Sequence, residues 1–163
     1  HYDGLWRFLR RLGVPASEVE DAAQKVVIVL AERIATIERG KEKSFLFSTA
    51  LRVASDARRK NARSREELAK GDALPEASDG SPGADDQLDA RRRLVLLDRV
   101  LATLSDELRE VLVLVDLEEE TMAAASETLG IPPGTVASRL RRARETFEKE
   151  AEKLKTTLEG EGR

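Results

Sequence analysis

Cysteine is absent from this chain, and histidine occurs once, at His1. Without cysteine there is no disulfide and no thiol nucleophile, which excludes redox and thiol enzymes. A single histidine leaves neither a cysteine–histidine zinc site nor the usual histidine-based catalytic dyads. We therefore expect a protein that is not an enzyme and holds no metal ion and no cofactor. The chain begins with His1 rather than methionine, which leads us to expect that residues precede it.

Aromatic residues and long apolar runs are also scarce. Aromatics make up 4 % of a chain that is 40 % hydrophobic, so the core must be mainly aliphatic. No run approaches the roughly 20 apolar residues that cross a membrane. No apolar segment typical of a secretory signal lies near the start. These absences predict no membrane insertion and a cytoplasmic location.

Charged residues, in contrast, make up 36 % of the chain and occur in blocks of opposite sign. From residue 52 to 65 there are six basic residues and one acidic residue. From residue 66 to 89 there are eight acidic residues and one basic residue, Lys70. Such blocks indicate separate surfaces with separate partners.

The composition of the chain also divides it. Residues 70–86 read KGDALPEASDGSPGADD, which is typical of a linker. On both sides, apolar residues recur at three- and four-residue spacing, which indicates helices. We predict an all-α fold of two small helical domains, residues 1–66 and 89–158, joined by a flexible acidic linker, residues 67–88. The second is predicted to be a four-helix domain that contains a helix–turn–helix.

Two helices are predicted in the first half. Ser17 and Glu20 have the spacing of a capping box, which favours a helix from Ser17 to Ile37. Its buried face would comprise Val19, Ala23, Val26, Val27, Leu30 and Ile34. A second helix is predicted from Ser44 to about Arg63, with Phe45, Thr49, Val53 and Ala57 facing inward.

The second half begins with an apolar stripe and a helix start. The stripe comprises Leu94, Leu97, Leu101 and Leu104. Ser105 is then predicted to cap a helix that buries Leu108, Val111, Leu112 and Val115. Two further helices are predicted, Thr121 to Leu129 and Pro133 to about Lys153.

Those last two helices form a predicted helix–turn–helix. Gly130 can end the first helix in a left-handed conformation, and Pro133 suits the first turn of the second. The inner face would comprise Val136, Leu140, Ala143 and Phe147, packed on Met122, Ala125 and Leu129. The opposite face presents Ala137, Ser138, Arg141 and Arg142, flanked by Arg139 and Arg144. Such a helix can read base edges in the major groove, although a solvated basic face is the alternative.

Three segments together resemble one protein family. Residues 104–147, LSDELREVLVLVDLEEETMAAASETLGIPPGTVASRLRRARETF, resemble the C-terminal promoter-reading domain of the extracytoplasmic-function sigma factors of bacterial RNA polymerase. Residues 9–30, LRRLGVPASEVEDAAQKVVIVL, and 44–60, SFLFSTALRVASDARRK, are similar to the N-terminal domain of that family.

The resemblance implies a set of contact residues for each element of the promoter and for the polymerase. Contacts to the minus-thirty-five element would come from Pro133, Gly134, Thr135, Ser138, Arg139, Arg141 and Arg142. Contacts to the minus-ten element would come from Lys43, Phe47, Ser48 and Arg52, near a pocket for an extruded base, and from Arg58, Arg59 and Lys60 on phosphates. Contacts to core polymerase would come from Glu20, Asp21, Gln24 and Lys25.

Some of these positions have a second interpretation or depart from the family pattern. Core packing is the alternative for Phe45 and Phe47, and we favour it for Phe45. Lys25 stands where the family usually has an acidic residue, and Ala137 where it often has a basic one. The acidic linker is consistent with a mimic of a nucleic-acid strand or with a solvated tether.

The resemblance predicts a function and several partners. The protein would bind the clamp and flap regions of core RNA polymerase, recognise the minus-ten and minus-thirty-five elements of promoter DNA, and promote melting. An anti-sigma factor would be its regulator. One alternative is a conventional helix–turn–helix regulator, with residues 1–65 as a sensor or dimerisation domain. A second is a helical module that titrates a partner without contacting DNA.

Overall fold

Seven α-helices make up the described part of the chain, which contains no strand. The computed structural model describes the backbone of residues 2–69 and 85–161, and the side chains of residues 3–67 and 93–157. The helices are α1 (Tyr2–Arg11), α2 (Val19–Arg33), α3 (Glu42–Ala69), α4 (Asp85–Thr103), α5 (Asp106–Leu112), α6 (Met122–Leu129) and α7 (Pro133–Glu161). A 3₁₀ turn, Ile34–Thr36, follows α2, and a π-helical turn, Val113–Leu117, follows α5. The all-α prediction is confirmed.

Helices α1, α2 and α3 pack together in the first half of the chain. Their inward side chains recur at three- and four-residue spacing, so each helix buries one stripe. The buried residues include Phe8 and Leu9 of α1, Leu12 directly after it, Val19, Ala23 and Val26 of α2, and Phe47, Ala50, Leu51 and Ala54 of α3. Only two of these are aromatic, so this core is mainly aliphatic, as predicted.

The predicted start of α2 is wrong. The helix begins at Val19, and no side-chain hydrogen bond caps it. Ser17 lies instead in a separate turn, in which the N–H of Glu18 donates to the carbonyl of Pro15 at 3.0 Å. Two residues predicted to be inward are exposed, Val27 by 43 % and Ile34 by 52 %. Val27 lies off the buried stripe, and Ile34 lies beyond the end of the helix.

Helix α3 is longer than predicted and faces the core with partly different residues. Thr49 is buried as expected, whereas Phe45, Val53 and Ala57 are only partly buried. The segment predicted as a linker, residues 67–88, is entered by α3 up to Ala69 and by α4 from Asp85. The rest of the predicted linker, residues 70–84, lies outside the described residues. Its predicted flexibility therefore stays a prediction.

Glycines with positive φ end α1 and α6. The φ angle is +90° at Gly13 and +64° at Gly130. In each case the N–H of the next residue donates to the carbonyl five positions earlier, at 3.1 Å after α1 and 3.2 Å after α6. This pattern closes the last helical turn and redirects the chain. The left-handed conformation predicted for Gly130 is therefore confirmed.

Helices α4 to α7 form the second half. Ser105 directly precedes α5, as predicted, although its side chain accepts no capping hydrogen bond. Of the predicted apolar stripe, Leu101 of α4 and Leu104 directly after it are buried, but Leu94 is 50 % exposed. Leu97 lines a groove between α4 and α7 that does not include Leu94.

The two halves share one contiguous hydrophobic core. Helix α3 packs against α6, and α1 contacts α4. The first helix of the helix–turn–helix is therefore placed beside the helix that carries all six basic residues of 52–65.

Candidate nucleic-acid interface

The helix–turn–helix consists of α6, a turn at residues 130–132, and α7. The Thr121 hydroxyl caps α6 by accepting the N–H three residues later at 3.1 Å. The Ser126 hydroxyl donates to the Ile131 carbonyl at 2.5 Å and ties α6 to the turn. On α7, Val136 and Leu140 are buried, which confirms the predicted inner face.

The first turns of α7 face solvent. The exposed residues there are Pro133, Gly134, Ala137, Ser138, Arg141 and Arg142, whereas Thr135 is partly buried. Arg141 and Arg142 form no ion pair with any other residue of the described ranges. Two guanidinium groups without a carboxylate partner in the described ranges therefore lie on the N-terminal half of α7. In such motifs this part of the second helix faces the major groove.

Two neighbouring arginines are paired within the protein. Arg139 lies 3.1 Å from a carboxylate oxygen of Glu107, and its side chain is 26 % exposed. Arg144 donates twice to Asp116, at 2.9 and 2.6 Å, and this interaction raises the pKa of Arg144. Of the predicted minus-thirty-five residues, Arg139 is thus less available than Arg141 and Arg142.

A cavity of about 600 Å³ is enclosed by α3, α6, the end of α2 and the segment between α2 and α3. Ser48 and Arg52, both predicted to lie near a base pocket, line it together with Phe45. Glu127 and Thr128 of α6 also line it. The cavity therefore combines an aromatic ring, a cation and hydroxyl groups from the first half with a wall from the second half.

The two phenylalanines of α3 have exchanged their expected places. Phe47 is 6 % exposed, and its ring centroid lies 4.7 Å from that of Phe8. The position of Phe47 on the buried stripe of α3, three residues before Ala50, explains this. Phe45 therefore lines the cavity and Phe47 does not, and the predicted contact of Phe47 with the minus-ten element stays a prediction.

Arg58 does not lie on an open surface. Its side chain is 11 % exposed and donates to the Leu12 carbonyl at 2.6 Å. Carboxylate oxygens of Asp106 and Glu110, both on α5, lie 3.2 and 3.0 Å from its guanidinium nitrogens. The packing of α5 therefore encloses the Arg58 side chain in this arrangement, and its predicted contact with phosphate stays a prediction.

Other predicted cations of the minus-ten surface remain accessible. Arg59 and Lys60 are largely exposed and pair within the first half, with Asp56 at 2.5 Å and Glu18 at 3.6 Å. Exposed pairs of this kind contribute only about 0–1 kcal/mol, so they exchange readily for other partners. Lys43 is exposed as well and pairs with Glu120 of the second half.

The outer face of α2 carries the predicted polymerase contacts and an unpredicted apolar patch. Glu20, Asp21, Gln24 and Lys25 are all exposed. Ile28 beside them is 55 % exposed. The signal for this patch was the run of five apolar residues at 26–30, because five consecutive positions extend around a helix and cannot all share one buried stripe.

Several charged groups are partly buried where the halves meet, and Arg109 is buried. Burial raises the pKa of Asp98, Glu110 and Glu118, against the opposing effect of nearby arginines. Arg109 is 7 % exposed. Burial is the main cause that lowers its pKa, and repulsion from Arg58 lowers this pKa further. The burial of Arg109 could not be predicted from the sequence, because nothing in the helix pattern distinguishes a buried arginine from a solvated one.

Neither a metal centre nor a transmembrane helix is seen in the described ranges. No three acidic or histidine side chains there are arranged to hold a metal ion. None of the helices described is long and apolar enough to span a membrane.

Comparison with known families gives two matches, in order along the chain. Residues 1–64 match the model described as Sigma-70 region 2, and residues 87–147 match the model described as Sigma-70, region 4.

Two curated relatives are similar over most of this chain. The ECF RNA polymerase sigma factor SigE of Mycolicibacterium smegmatis is 30 % identical over 149 residues, which are 89 % of this chain and 56 % of that protein. The ferric citrate uptake sigma factor FecI of Escherichia coli is 29 % identical over 138 residues, which are 83 % of this chain and 78 % of that protein. The chain thus spans little more than half the length of SigE.

Two solved structures share the fold. CnrH, in complex with the cytosolic domain of CnrY, superposes with a TM-score of 0.68 at 21 % identity, covering 93 % of this chain and 82 % of CnrH. RpoE, in complex with the anti-sigma factor NepR from Bartonella quintana, superposes with a TM-score of 0.64 at 23 % identity, covering 91 % of this chain and 89 % of RpoE. At these identities the likeness concerns the fold alone.

Proposed function

The chain belongs to the extracytoplasmic-function sigma factors of the sigma-70 family, and on this basis we propose that it is a promoter-specificity subunit of bacterial RNA polymerase. It binds the core enzyme, recognises two promoter elements and assists melting. The observation that carries this proposal is the presence of both family regions in one chain, together with an exposed N-terminal half of α7 on which Arg141 and Arg142 are unpaired within the described ranges.

In this proposal α7 reads the minus-thirty-five element. Arg141 and Arg142 contact guanine edges or phosphates in the major groove, and Ser138 lies on the same exposed side. The short α6 holds α7 in place through the turn at Gly130. Ala137 is also exposed on this part of α7 but carries no charge and no hydrogen-bonding group. Recognition of the DNA sequence would therefore depend on Ser138, Arg141 and Arg142.

The cavity between α3 and α6 is proposed to accept the extruded base of the minus-ten element. Phe45 offers a ring on which a base can stack, and Arg52 offers hydrogen-bond donors. The Ser48 hydroxyl donates to the Phe45 carbonyl at 3.0 Å, so its oxygen is left as an acceptor. Arg59 and Lys60, exposed further along α3, are proposed to hold the phosphates.

The outer face of α2 is proposed to bind the clamp of core polymerase. Its four predicted contact residues precede the exposed Ile28 on the same side of the helix, which gives polar and apolar groups side by side, as protein interfaces commonly have. The second half would contact the flap region. An anti-sigma factor is proposed as a regulatory partner, since RpoE was solved with the anti-sigma factor NepR.

Transcription in vitro tests this function. Core polymerase with the purified chain and a genomic fragment library is expected to produce defined start sites that core polymerase alone does not. A conventional regulator would instead bind specific fragments tightly as an isolated dimer, with half-sites about one helical turn apart. No start site dependent on the chain would overturn the proposal.

The recognition helix has its own test in the same assay. We expect Arg141→Ala with Arg142→Ala to lower promoter-specific transcription by roughly tenfold or more, because each lost base or phosphate contact weakens binding. The matched control is Lys149→Ala with Lys155→Ala, which removes the same charge from exposed positions further along α7. Equal effects of the two double variants would contradict the assignment of α7 as the reading helix.

A further inference from the structure

One face of α3 brings three different chemical groups to the cavity. Phe45, Ser48 and Arg52 all line it, and they follow one another at three- and four-residue spacing, so they share one side of the helix. The first and the last of them lie two turns apart, which is about 10 Å along the helix axis. A base that stacks on Phe45 would therefore extend its edge along α3 toward the other two side chains.

Arg52 keeps its hydrogen-bond donors available. Its side chain is exposed, and its guanidinium group forms no ion pair or hydrogen bond with another residue of the described ranges. The two acids that line the cavity act on Lys41 instead. Glu127 forms a hydrogen-bonded ion pair that raises the pKa of Lys41, and the charge of Glu38 raises this pKa further. The cavity therefore offers a cation without a carboxylate partner in the part of the chain that the structure describes.

Ser48 offers the opposite kind of group. Its hydroxyl proton is directed to the Phe45 carbonyl, so the oxygen remains as an acceptor. A guanidinium group holds its N–H donors side by side in one plane and has no acceptor. Along this face of α3, adjacent donors at Arg52 are therefore followed by an acceptor at Ser48.

DNA bases differ in the order of donors and acceptors along the edges that become free when a base leaves the duplex. Guanine presents N7, O6 and N1–H, and cytosine presents O2, N3 and its amino group, so each has two adjacent acceptors followed by a donor. Adenine and thymine present an acceptor, a donor and an acceptor. Arginine binds two adjacent acceptors at once, which is how it reads guanine in duplex DNA. Guanine and cytosine therefore match the groups on α3, and adenine and thymine do not.

We propose that Arg52 selects the base that the cavity accepts, and that this base is guanine or cytosine. Arg52 donates to the two adjacent acceptors, Ser48 accepts from the donor beside them, and the ring of Phe45 stacks on the base. The inference rests on the proposed function for the presence of an extruded base in the cavity. Because the Arg52 side chain is exposed and has no partner in the described ranges, its substitution leaves the fold intact.

A change of arginine to glutamine tests this selection. Glutamine carries one donor and one acceptor side by side, the pair that binds adenine in duplex DNA. We therefore expect Arg52→Gln to exchange the preference for guanine or cytosine for one for adenine or thymine. The matched control is Arg33→Gln, which removes the same charge at the end of α2. Arg33 lines the same cavity and is exposed, and its guanidinium group also has no partner among the described residues.

Short single strands that carry only one base measure the selection without polymerase. Each fluorescent hexamer has guanine, cytosine, adenine or thymine at one position and abasic sites elsewhere, and its anisotropy is followed with the full chain. We expect the wild type to bind the guanine and cytosine strands about tenfold more tightly than the other two. Arg52→Gln should reverse this order, whereas Arg33→Gln should keep it and bind all four strands more weakly, because a charge that attracts phosphate is lost. Equal binding of all four strands by the wild type, or the same reversal in both variants, would overturn the inference.

Transcription in vitro separates this inference from the proposed function. Core polymerase with the chain transcribes a promoter library that is randomised across the minus-ten element, and the transcripts are sequenced. We expect one position to be enriched in guanine or cytosine with the wild type and in adenine or thymine with Arg52→Gln. If both proteins direct transcription and select the same bases, Arg52 does not select the base, but the proposed function stands. A complete absence of transcription with the wild type contradicts the proposed function instead, and the hexamer measurement still decides the role of Arg52.

Discussion

Phe45 and Phe47 lie two residues apart on α3 and have different surroundings. Phe47 packs on Phe8 in the core of the first half, whereas Phe45 is partly exposed and lines the cavity. The directions of two side chains that lie two residues apart differ by about 200° around the helix axis. This difference is enough to place one side chain in the core and the other at its edge. Stability and base stacking should therefore depend on different members of the pair.

We expect Phe47→Ala to lower the free energy of unfolding by about 3–5 kcal/mol, since it removes a buried ring. Phe45→Ala should cost clearly less stability but reduce transcription, because stacking of a base on an aromatic ring is worth about 1–3 kcal/mol. Urea denaturation followed by circular dichroism measures the first effect, and the in vitro transcription assay the second. Similar losses of stability in the two variants would show that Phe45 is also a core residue.

Two glycines of this chain end helices by adopting a backbone conformation that residues with a side chain rarely adopt. Gly13 and Gly130 both have positive φ and end a helix in the same hydrogen-bonding pattern. They differ in their surroundings, because a Cβ at Gly130 would meet nothing within 4 Å, whereas at Gly13 it would meet Arg109. One turn is therefore purely local, and the other is part of the contact between the halves.

Alanine substitutions separate these two roles. Gly130→Ala should cost about 1–2 kcal/mol of stability, the penalty of a left-handed residue that bears a Cβ. Gly13→Ala should cost more, since Arg109 must also move away from the carbonyls that it binds. Urea denaturation of both variants measures the difference, and equal costs would mean that Arg109 adjusts without loss.

For the molecule as a whole, opposite charges on the two halves are partly buried against each other. Glu118 faces Arg11, with Lys43 and Arg7 nearby, and burial nevertheless raises its pKa. The folded protein therefore binds a proton at this carboxylate more readily than the unfolded chain does. In consequence the charged form of Glu118 lowers stability at neutral pH, and this effect is lost as the pH falls through the raised pKa.

We expect the wild-type protein to gain stability relative to Glu118→Gln as the pH is lowered from neutral into the mildly acidic range. Glutamine is uncharged throughout, so it lacks the effect of ionisation. Unfolding free energies measured by urea at a series of pH values give the difference, with the neighbouring exposed residue changed in Glu119→Gln as the control. A difference that is constant with pH, or that changes equally in the control, would contradict this account of Glu118.

The periodicity of apolar residues, together with Gly130 and Pro133, was sufficient to predict the all-α class, the helix–turn–helix and the inner face of α7. These features are local, since they depend on spacing along one helix or on the conformation of one residue. The same reasoning predicted the exposed arginines at 141 and 142, because the residues opposite a buried stripe face outward.

Only the tertiary structure decided how the halves meet and which charges face each other. The burial of Arg58 and Arg109, the exchange of roles between Phe45 and Phe47, and the position of α6 beside the cavity depend on contacts between residues far apart in sequence. A charged residue has the same local pattern whether it faces water or a distant carboxylate. The physical reason is that burial and pairing are properties of the packed chain, whereas helix periodicity is a property of neighbouring residues.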